Sequence, residues 1–261
     1  RAGEVIAPPP ASAWLAPASP STVGGTVFLG GGSLGSPVIS DVVAAARAVD
    51  SSKKARLVVL GGGASSSSLT SAYARAVKKA GWVGQVNAVV HTGKGWSGTS
   101  LAGATAVVLV GDDPVALASS MADPAFRATL TQAVRSTPVV FADGSMTAVL
   151  GERWSAKARP TSSTLEAEGV AAYRADDALW QFGLALVPAT VVPHLTDDFR
   201  WGRLYAGVAT APTQPAIGVA SGSAVVLSPG GASVSGASVV VADGSGASSW
   251  VSANGALGAS G

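Results

Sequence analysis

Short apolar runs alternate with segments of helical periodicity along the first 150 residues of the chain. Each run of four or five aliphatic residues has the length of a buried strand, and each periodic segment presents one apolar face. The predicted strands are Thr26–Leu29, Arg56–Leu60, Gln85–His91, Ala106–Val110 and Thr137–Phe141, and the predicted helices are Val38–Val49, Leu69–Ala80 and Pro124–Val134. Aliphatic strands separated by helices predict an α/β domain whose mostly parallel sheet is covered on both faces.

The pattern changes after Leu204, where we predict that the helices stop. Three apolar strands, Ile217–Val219, Ala224–Leu227 and Ser238–Val241, are separated by turns containing Gly and Pro. Strands at this spacing predict an antiparallel hairpin region added to the same domain. We therefore divide the chain into a Pro-rich N-terminal segment (1–22), one α/β domain (23–250) and a Gly/Ser-rich tail (251–261).

Composition narrows the range of functions. The 261 residues are 48% hydrophobic and 12% charged, with a formal net charge of +2, so the chain is neither a disordered polymer nor a polybasic binder of nucleic acid. It contains no cysteine and only two histidines, His91 and His194, which argues against a metal site built from these side chains. We predict no metal, no cofactor and no membrane-spanning helix.

Charge is also distributed unevenly, since Asp243 is the single charged residue between Leu204 and Gly261. A weakly charged face favours burial against another chain. Together with the absence of cysteine and a first residue that is not methionine, this predicts an exported protein. We expect it in the periplasm, cell envelope or extracellular space, as a homo-oligomer or with an envelope partner.

A sharp strand-to-helix turn is predicted within the segment 139–151. A strand ending at Asp143-Gly144 and small residues after Ser145 are typical of a nucleophile elbow, which holds a hydroxyl clear of the sheet. The segment Gly30–Gly35 also satisfies the pattern G-x-G-x-x-G, but no acidic residue follows at the distance that dinucleotide binding requires. We interpret that segment as a tight crossover.

A second polar segment contains His194, Arg200, Gly202, Arg203 and Leu204. This pattern resembles the histidine-to-Arg-x-x-Arg-Leu signature of cyanophycinases and the related dipeptidase E serine peptidases, and the resemblance extends over roughly residues 23–241. It implies a flavodoxin-like or class I glutamine-amidotransferase-like fold. In that family a serine attacks an aspartyl or isoaspartyl peptide bond, a histidine acts as base and an acidic residue orients it.

The chain departs from the family at the catalytic positions. Aligned without gaps, Gly144 stands where the family has its nucleophile, Ser145 falls one residue late, and Met146 replaces a glycine. Pro114 stands where the family has a glutamine that contacts the substrate. A hydroxyl without an oriented base is a poor nucleophile, so these substitutions predict an inactive scaffold with a structural or binding role.

An active serine peptidase with a displaced triad remains the alternative. Its nucleophile would be Ser145, its base His194, and its acid Glu168 or the neighbouring Glu166.

We predict that Asp113, Arg200 and Arg203 bind the substrate, which would be a peptide or an acidic small ligand. The two arginines lie three residues apart, so in a helix they share one face and could clamp an acidic group. The alternative for the two arginines is structural, as ion pairs with the nearby aspartates Asp176, Asp177, Asp197 and Asp198.

Overall fold

The computed structural model describes residues 25–63, 67–91, 101–229, 231–244 and 248–252. The predicted N-terminal segment 1–22 and most of the predicted tail 251–261 lie outside these ranges. The helices are α1 (Val38–Val49), α2 (Ser67–Lys79), α3 (Pro114–Met121), α4 (Pro124–Ser136), α5 (Ser145–Leu150), α6 (Leu165–Ala171) and α7 (Trp201–Thr210), with a 3-10 helix at Ala175–Ala178. The strands are β1 (Thr26–Gly30), β2 (Arg56–Gly61), β3 (Gln85–Val90), β4 (Ala106–Gly111), β5 (Val139–Gly144), β6 (Arg153–Ser155), β7 (Trp180–Phe182), β8 (Thr190–Val192), β9 (Ala216–Val219), β10 (Ala224–Ser228), β11 (Gly231–Ser235), β12 (Ser238–Ala242) and β13 (Ser248–Ser252).

A seven-stranded sheet in the order β11-β10-β1-β5-β4-β2-β3 forms the centre of the protein. Strands β1 to β5 pair in parallel, whereas β10 pairs antiparallel with both β1 and β11. Every residue of β4 and of β5 is buried, as expected for aliphatic strands covered on both faces. The predicted α/β, flavodoxin-like fold with antiparallel strands near the C-terminus is confirmed.

The helices cover the two faces of this sheet through their apolar stripes. Helix α1 buries Val38, Val42 and Ala46 on one face, together with Tyr73 and Val77 of α2. Helix α4 buries Phe126, Leu130 and Val134 on the other face. Helices α3 and α4 each begin with an aspartate whose side chain accepts backbone N–H bonds, followed by proline at the first helical position.

The C-terminal third differs from the prediction in two details. The strands after Leu204 divide between two sheets, because β9, β12 and β13 join β8 in a separate four-stranded sheet in which β8 and β9 are parallel. The prediction that helices stop at Leu204 is wrong, because α7 continues to Thr210. Burial of Leu204 and Ala206 in α7 outweighs the low helix propensity of its two glycines.

The ends of three neighbouring strands meet at one edge of the central sheet. In the parallel register Gly30 of β1 lies opposite Asp143, and Gly111 of β4 lies opposite Gly144. Loops that follow such strand ends are the usual place for a binding or catalytic site in α/β proteins.

None of the helices in the described ranges combines the length and the apolar character needed to cross a bilayer.

Candidate functional site

The turn between β5 and α5 has the geometry of a nucleophile elbow. Gly144 ends β5 with φ 61° and ψ −136°, and α5 begins at the next residue, Ser145. This backbone conformation lies near the region that is populated almost only by glycine. The sharp strand-to-helix turn expected from the sequence is therefore present, with glycine at its apex.

The apex faces His194 and Asp112. A Cβ atom added to Gly144 would lie 3.4 Å from His194 Nε2 and 2.6 Å from Asp112 Oδ1. A side chain at position 144 would thus project toward the imidazole, as a nucleophile must. In this protein the carboxylate of Asp112 crowds that position, and its Oδ1 lies 3.1 Å from His194 Nε2.

His194 is fixed in a buried turn after β8. Its φ of 53° is left-handed, its backbone N–H donates to Gly31 O at 2.9 Å, and only 4% of its surface is exposed. A Cβ atom on Gly32 would lie 2.4 Å from the imidazole Cε1, so the glycine turn after β1 provides the space that the ring occupies. The close approach of Gly32 and His194 agrees with the prediction that segment 30–35 is a tight crossover.

A chain of charged side chains extends from His194 across the site. Asp112 contacts His194 and lies 3.2 Å from Arg159 Nη1. Arg159 in turn forms a two-pronged pair with buried Asp198, with N–O distances of 2.9 and 3.1 Å, and Asp198 Oδ2 lies 3.2 Å from Arg200 Nε. The hydrogen bond from His194 is the largest of the effects that lower the pKa of Asp112, so this carboxylate is ionised and His194 Nε2 donates to it.

A second polar cluster lies beside the first. Asp143, the residue before the apex, is buried and accepts hydrogen bonds from the N–H groups of Gly32 at 2.8 Å and Ser33 at 2.7 Å, and from the hydroxyl of Tyr73. Burial raises the pKa of Tyr73, with the charge of Asp143 as the next cause. Burial also raises the pKa of Asp143. This cluster ties α2 and the glycine turn to the elbow.

The two clusters line one cavity of about 220 Å³. Leu34 and Leu69 contribute apolar surface, and the polar residues of its wall are Tyr73, Asp112, Asp143, Arg159, His194, Asp197 and Ser221. Within the described residues no group of three or more His, Asp or Glu side chains is arranged to hold a metal ion. At about 220 Å³ the cavity is smaller than the roughly 300–1,000 Å³ that is usual for pockets of drug-sized ligands, so it has room only for a small polar molecule or the end of a peptide.

Ser145, the predicted displaced nucleophile, lines a different cavity. It is buried, with 3% of its surface exposed, and it lies with Trp180, Arg200 and Arg203 around a small space on the other side of the elbow. His194 is not among the residues that line this space. Ser145 and His194 are thus near one another in the fold but face separate cavities.

The predicted acids lie on α6, apart from His194. Glu168 Oε2 is 2.5 Å from Lys157 Nζ, which also contacts Asp177. Glu166 lines an open groove with Val170 and Phe199. The carboxylate that contacts His194 comes instead from Asp112, and the catalytic role of Ser145, His194 and Glu168 stays a prediction.

The predicted substrate-binding residues all have intramolecular partners. Asp113 accepts hydrogen bonds from Val115 N and Ala116 N at the start of α3. Arg200 pairs with Asp198, and Arg203 Nη2 lies 3.2 Å from Asp177 Oδ2. These are two of the ion pairs that sequence offered as the structural alternative, and substrate binding by the three residues stays a prediction.

Sequence reasoning missed Asp112, Arg159 and Tyr73. A signal existed for Asp112, because it directly follows a buried parallel strand, next to the strand that leads into the elbow. Arg159 lies in an irregular segment, where no local pattern distinguishes it from a surface residue. Tyr73 lies between Leu69 and Val77 on the apolar stripe of α2, so its burial follows from the periodicity but its contact with Asp143 does not.

The fold is shared with solved structures of peptidases. A peptidase from an acI-B1 Actinobacterium superimposes with a TM-score of 0.62 at 16% identity, covering 90% of this chain and 96% of that one. A protein described as a candidate peptidase E from Listeria monocytogenes EGD-e gives a TM-score of 0.52 at 10% identity, covering 81% of this chain and 98% of that one. No family model matches the sequence, and neither does any curated protein. The protein therefore shares the fold of these two structures, while the finer resemblance to cyanophycinase and dipeptidase E stays a prediction from sequence.

Proposed function

We propose that this protein is a member of a peptidase-type hydrolase family that has lost serine peptidase activity and acts by binding. The observation that carries the proposal is the apex of the elbow. Gly144 offers no nucleophile there, and the Asp112 carboxylate crowds the space in front of His194 Nε2.

The position of the proton on His194 supports this proposal. A serine becomes nucleophilic when a neutral imidazole nitrogen accepts its proton. Here His194 Nε2 carries a hydrogen and donates it in a hydrogen bond to the ionised carboxylate of Asp112, so this nitrogen cannot accept a proton from a hydroxyl at the same time. Ser145 lines the other cavity, and the hydrogen-bond partner of His194 Nε2 among the described residues is Asp112.

Two surfaces support a binding role. The cavity of about 220 Å³ is lined by three aspartates, Asp112, Asp143 and Asp197, and by Arg159 and His194, and this mixture of donors and acceptors suits a peptide end or another small polar ligand. Around an open groove of about 550 Å³, Val170 on α6, Tyr173 in the turn after α6 and Phe199 in the turn before α7 are 71%, 59% and 53% exposed. Apolar surface of this kind is typical of contact with another molecule.

We propose further that the protein is exported and acts in the cell envelope. The support is compositional: the chain lacks cysteine and carries few charges. Fractionation of cells that express the natural gene, followed by immunodetection, tests the location. Recovery in the cytoplasmic fraction alone would contradict it.

Hydrolysis is tested with purified protein on aspartyl and β-aspartyl dipeptides, including β-aspartyl-arginine, and with a fluorophosphonate probe that labels activated serines. We expect no turnover above a buffer control and no labelling. Labelling of Ser145 that Ser145→Ala abolishes and His194→Ala weakens would refute the proposal in favour of the displaced triad. Ser33→Ala, which removes a buried serine hydroxyl bonded to Ser223 O, is the matched control.

A further inference from the structure

The wall of the open groove beside α6 combines apolar and aromatic side chains with one carboxylate. Leu165, Val170, Tyr173 and Phe199 provide the apolar surface, and Glu166 is the one charged residue among the described residues that line the groove. Its volume of about 550 Å³ lies within the roughly 300–1,000 Å³ that is usual for pockets of small organic ligands. This wall suits a ligand that joins an apolar body to a group complementary to a carboxylate.

The carboxylate of Glu166 is available to such a ligand. Glu166 is exposed and has no ion-pair partner among the described residues. Glu168, two positions along the same helix, is by contrast 2.5 Å from Lys157 Nζ. Arg174, just after α6, pairs with Asp176 at 3.1 Å and does not line the groove. A molecule in the groove therefore meets a negative charge that no neighbouring cation neutralises.

The ring of Tyr173 has one face free for a ligand. It stacks on Tyr205 of α7, with ring centroids 6.2 Å apart and ring planes 11° from parallel. Stacking covers one face of a ring, and 59% of the surface of Tyr173 stays exposed where this residue lines the groove. The face of an aromatic ring carries partial negative charge and attracts cations. The ring and the carboxylate of Glu166 thus favour the same kind of ligand.

Phe199 is held beside α6 by a strained backbone. Its φ of 48° is left-handed, a conformation that bulky residues rarely adopt, and 53% of its surface is exposed. Its neighbour Asp198 is buried and pairs with Arg200, so the turn is fixed from within. A Cβ atom on Gly169 would lie 3.2 Å from Phe199 Cβ, so this glycine lets Phe199 approach the helix. Strained residues concentrate at binding and catalytic sites, and a strained phenylalanine that stays exposed indicates a contact with a ligand.

We propose that this groove binds an organic ammonium ion with an apolar body. The ammonium group lies against the carboxylate of Glu166 and the free face of Tyr173, and the body contacts Leu165, Val170 and Phe199. The proposal names the ligand class for one of the two surfaces in the binding role proposed above, and it rests on that role. The hydrolysis and labelling experiments test the elbow alone, so a failure there and a failure here are distinguishable.

Three probes of similar body and different charge test the ligand class: benzyltrimethylammonium, benzyl alcohol and benzenesulfonate. Their binding to the purified protein is measured by NMR titration at constant ionic strength. We expect the ammonium ion to bind about twofold to fivefold more tightly than the alcohol, the gain of an exposed cation–π contact, and the sulfonate to bind most weakly. Equal affinity for the ammonium ion and the alcohol, or tightest binding of the sulfonate, would overturn the proposal.

The charge is tested with Glu166→Gln, which keeps the shape of the side chain. Its affinity for benzyltrimethylammonium should fall about twofold to fivefold, as expected for an exposed charge pair. Glu168→Gln is the matched control, because it makes the same change on the same helix at a residue that does not line the groove. We expect E168Q to bind the probe as the wild type does. Equal weakening in both variants would show a general effect of net charge and would overturn the proposal.

Phe199→Gly separates binding from folding. Glycine adopts a φ of 48° without strain, so F199G should keep or raise Tm while it weakens binding of benzyltrimethylammonium. Phe182→Gly removes another exposed ring, from β7 and outside the groove, and should bind the probe as the wild type does. A lower Tm of F199G would assign Phe199 to the fold, and either that result or unchanged binding by F199G would overturn the proposal.

Discussion

Replacing Gly144 with serine is the most direct test of the elbow. The substitution restores a hydroxyl at the position that resembles the family nucleophile. It also adds a Cβ atom to a residue with φ 61° and ψ −136°, at 2.6 Å from Asp112 Oδ1 and 3.0 Å from Gly111 O. Asp112 can swing away because its side chain is half-exposed, but Gly111 O belongs to the backbone.

The expected cost follows from these contacts. A non-glycine residue in such a conformation is strained by about 1–3 kcal/mol. For a domain of this size, a loss of about 2 kcal/mol in the free energy of unfolding lowers Tm by roughly 4–8 °C. We expect G144S to lose at least this much and to show no dipeptide hydrolysis, because Met146 and Pro114 still occupy positions that the family fills with glycine and glutamine.

The assay is thermal unfolding by circular dichroism, with hydrolysis measured on the same preparations. Gly103→Ser is the matched control, since Gly103 also has a positive φ of 70° but a Cβ atom there would contact nothing within 4 Å. The smaller the loss in the control, the larger the share of the G144S effect that comes from crowding at the apex. A Tm of G144S within about 1 °C of the wild type would refute the crowding argument. Dipeptide hydrolysis by G144S would refute the argument that Met146 and Pro114 prevent activity.

Four further measurements follow, three on the surrounding site and one on self-association. Tyr73→Phe removes one hydrogen-bond donor from buried Asp143, so the free energy of unfolding should fall by about 1–3 kcal/mol. An unchanged free energy of unfolding by urea titration would contradict a stabilising role for the Tyr73 hydroxyl. Because the pKa of Tyr73 is raised in the folded protein while an unfolded tyrosine ionises near pH 10, the wild type should lose stability above about pH 10 more steeply than Y73F. The pKa of Asp112 is lowered in the folded protein, so its contribution to the free energy of unfolding is present above about pH 4 and is lost as pH falls through the folded pKa. Asp112→Asn should therefore lose less stability than the wild type as the solution is acidified. Equal losses of stability in the two proteins would count against the His194 contact. Because the chain is predicted to associate with itself or with an envelope partner, we expect light scattering to give a mass above that of one chain or crosslinking in the native envelope to capture a partner; a monodisperse monomer with no crosslinked partner would contradict this.

The fold could be predicted from sequence wherever one physical effect dominated. The strand ending at Gly111 is a continuous aliphatic run, and α1 has an apolar residue at each turn, so burial alone determines both. The prediction that the helices stop at Leu204 rested on the strand-like pattern that follows. Helix α7 nevertheless continues to Thr210, and its packing against β8 and β9 stabilises it although it contains two glycines. Local pattern contains no information about such contacts.

The candidate site was predictable only in part for the same reason. The elbow and His194 follow from local sequence, because a strand, a glycine and a small-residue helix start are neighbours along the chain. The partner of His194 is distant in sequence, since 82 positions separate it from Asp112. Proximity of that kind depends on the order of strands in the sheet, and several acidic residues compete for it on sequence grounds alone.

The position of β1 has a consequence for how the chain is made. This first described strand lies between β5 and β10, and its C-terminal turn bonds to His194 N and Ser223 O. During synthesis one edge of β1 therefore stays unpaired until residues 224–227 of β10 have left the ribosome. Unpaired apolar edges promote aggregation of nascent chains. We expect ribosome-bound chains that stop before residue 224 to be captured by chaperones and digested by proteases, and those that include β10 to become resistant.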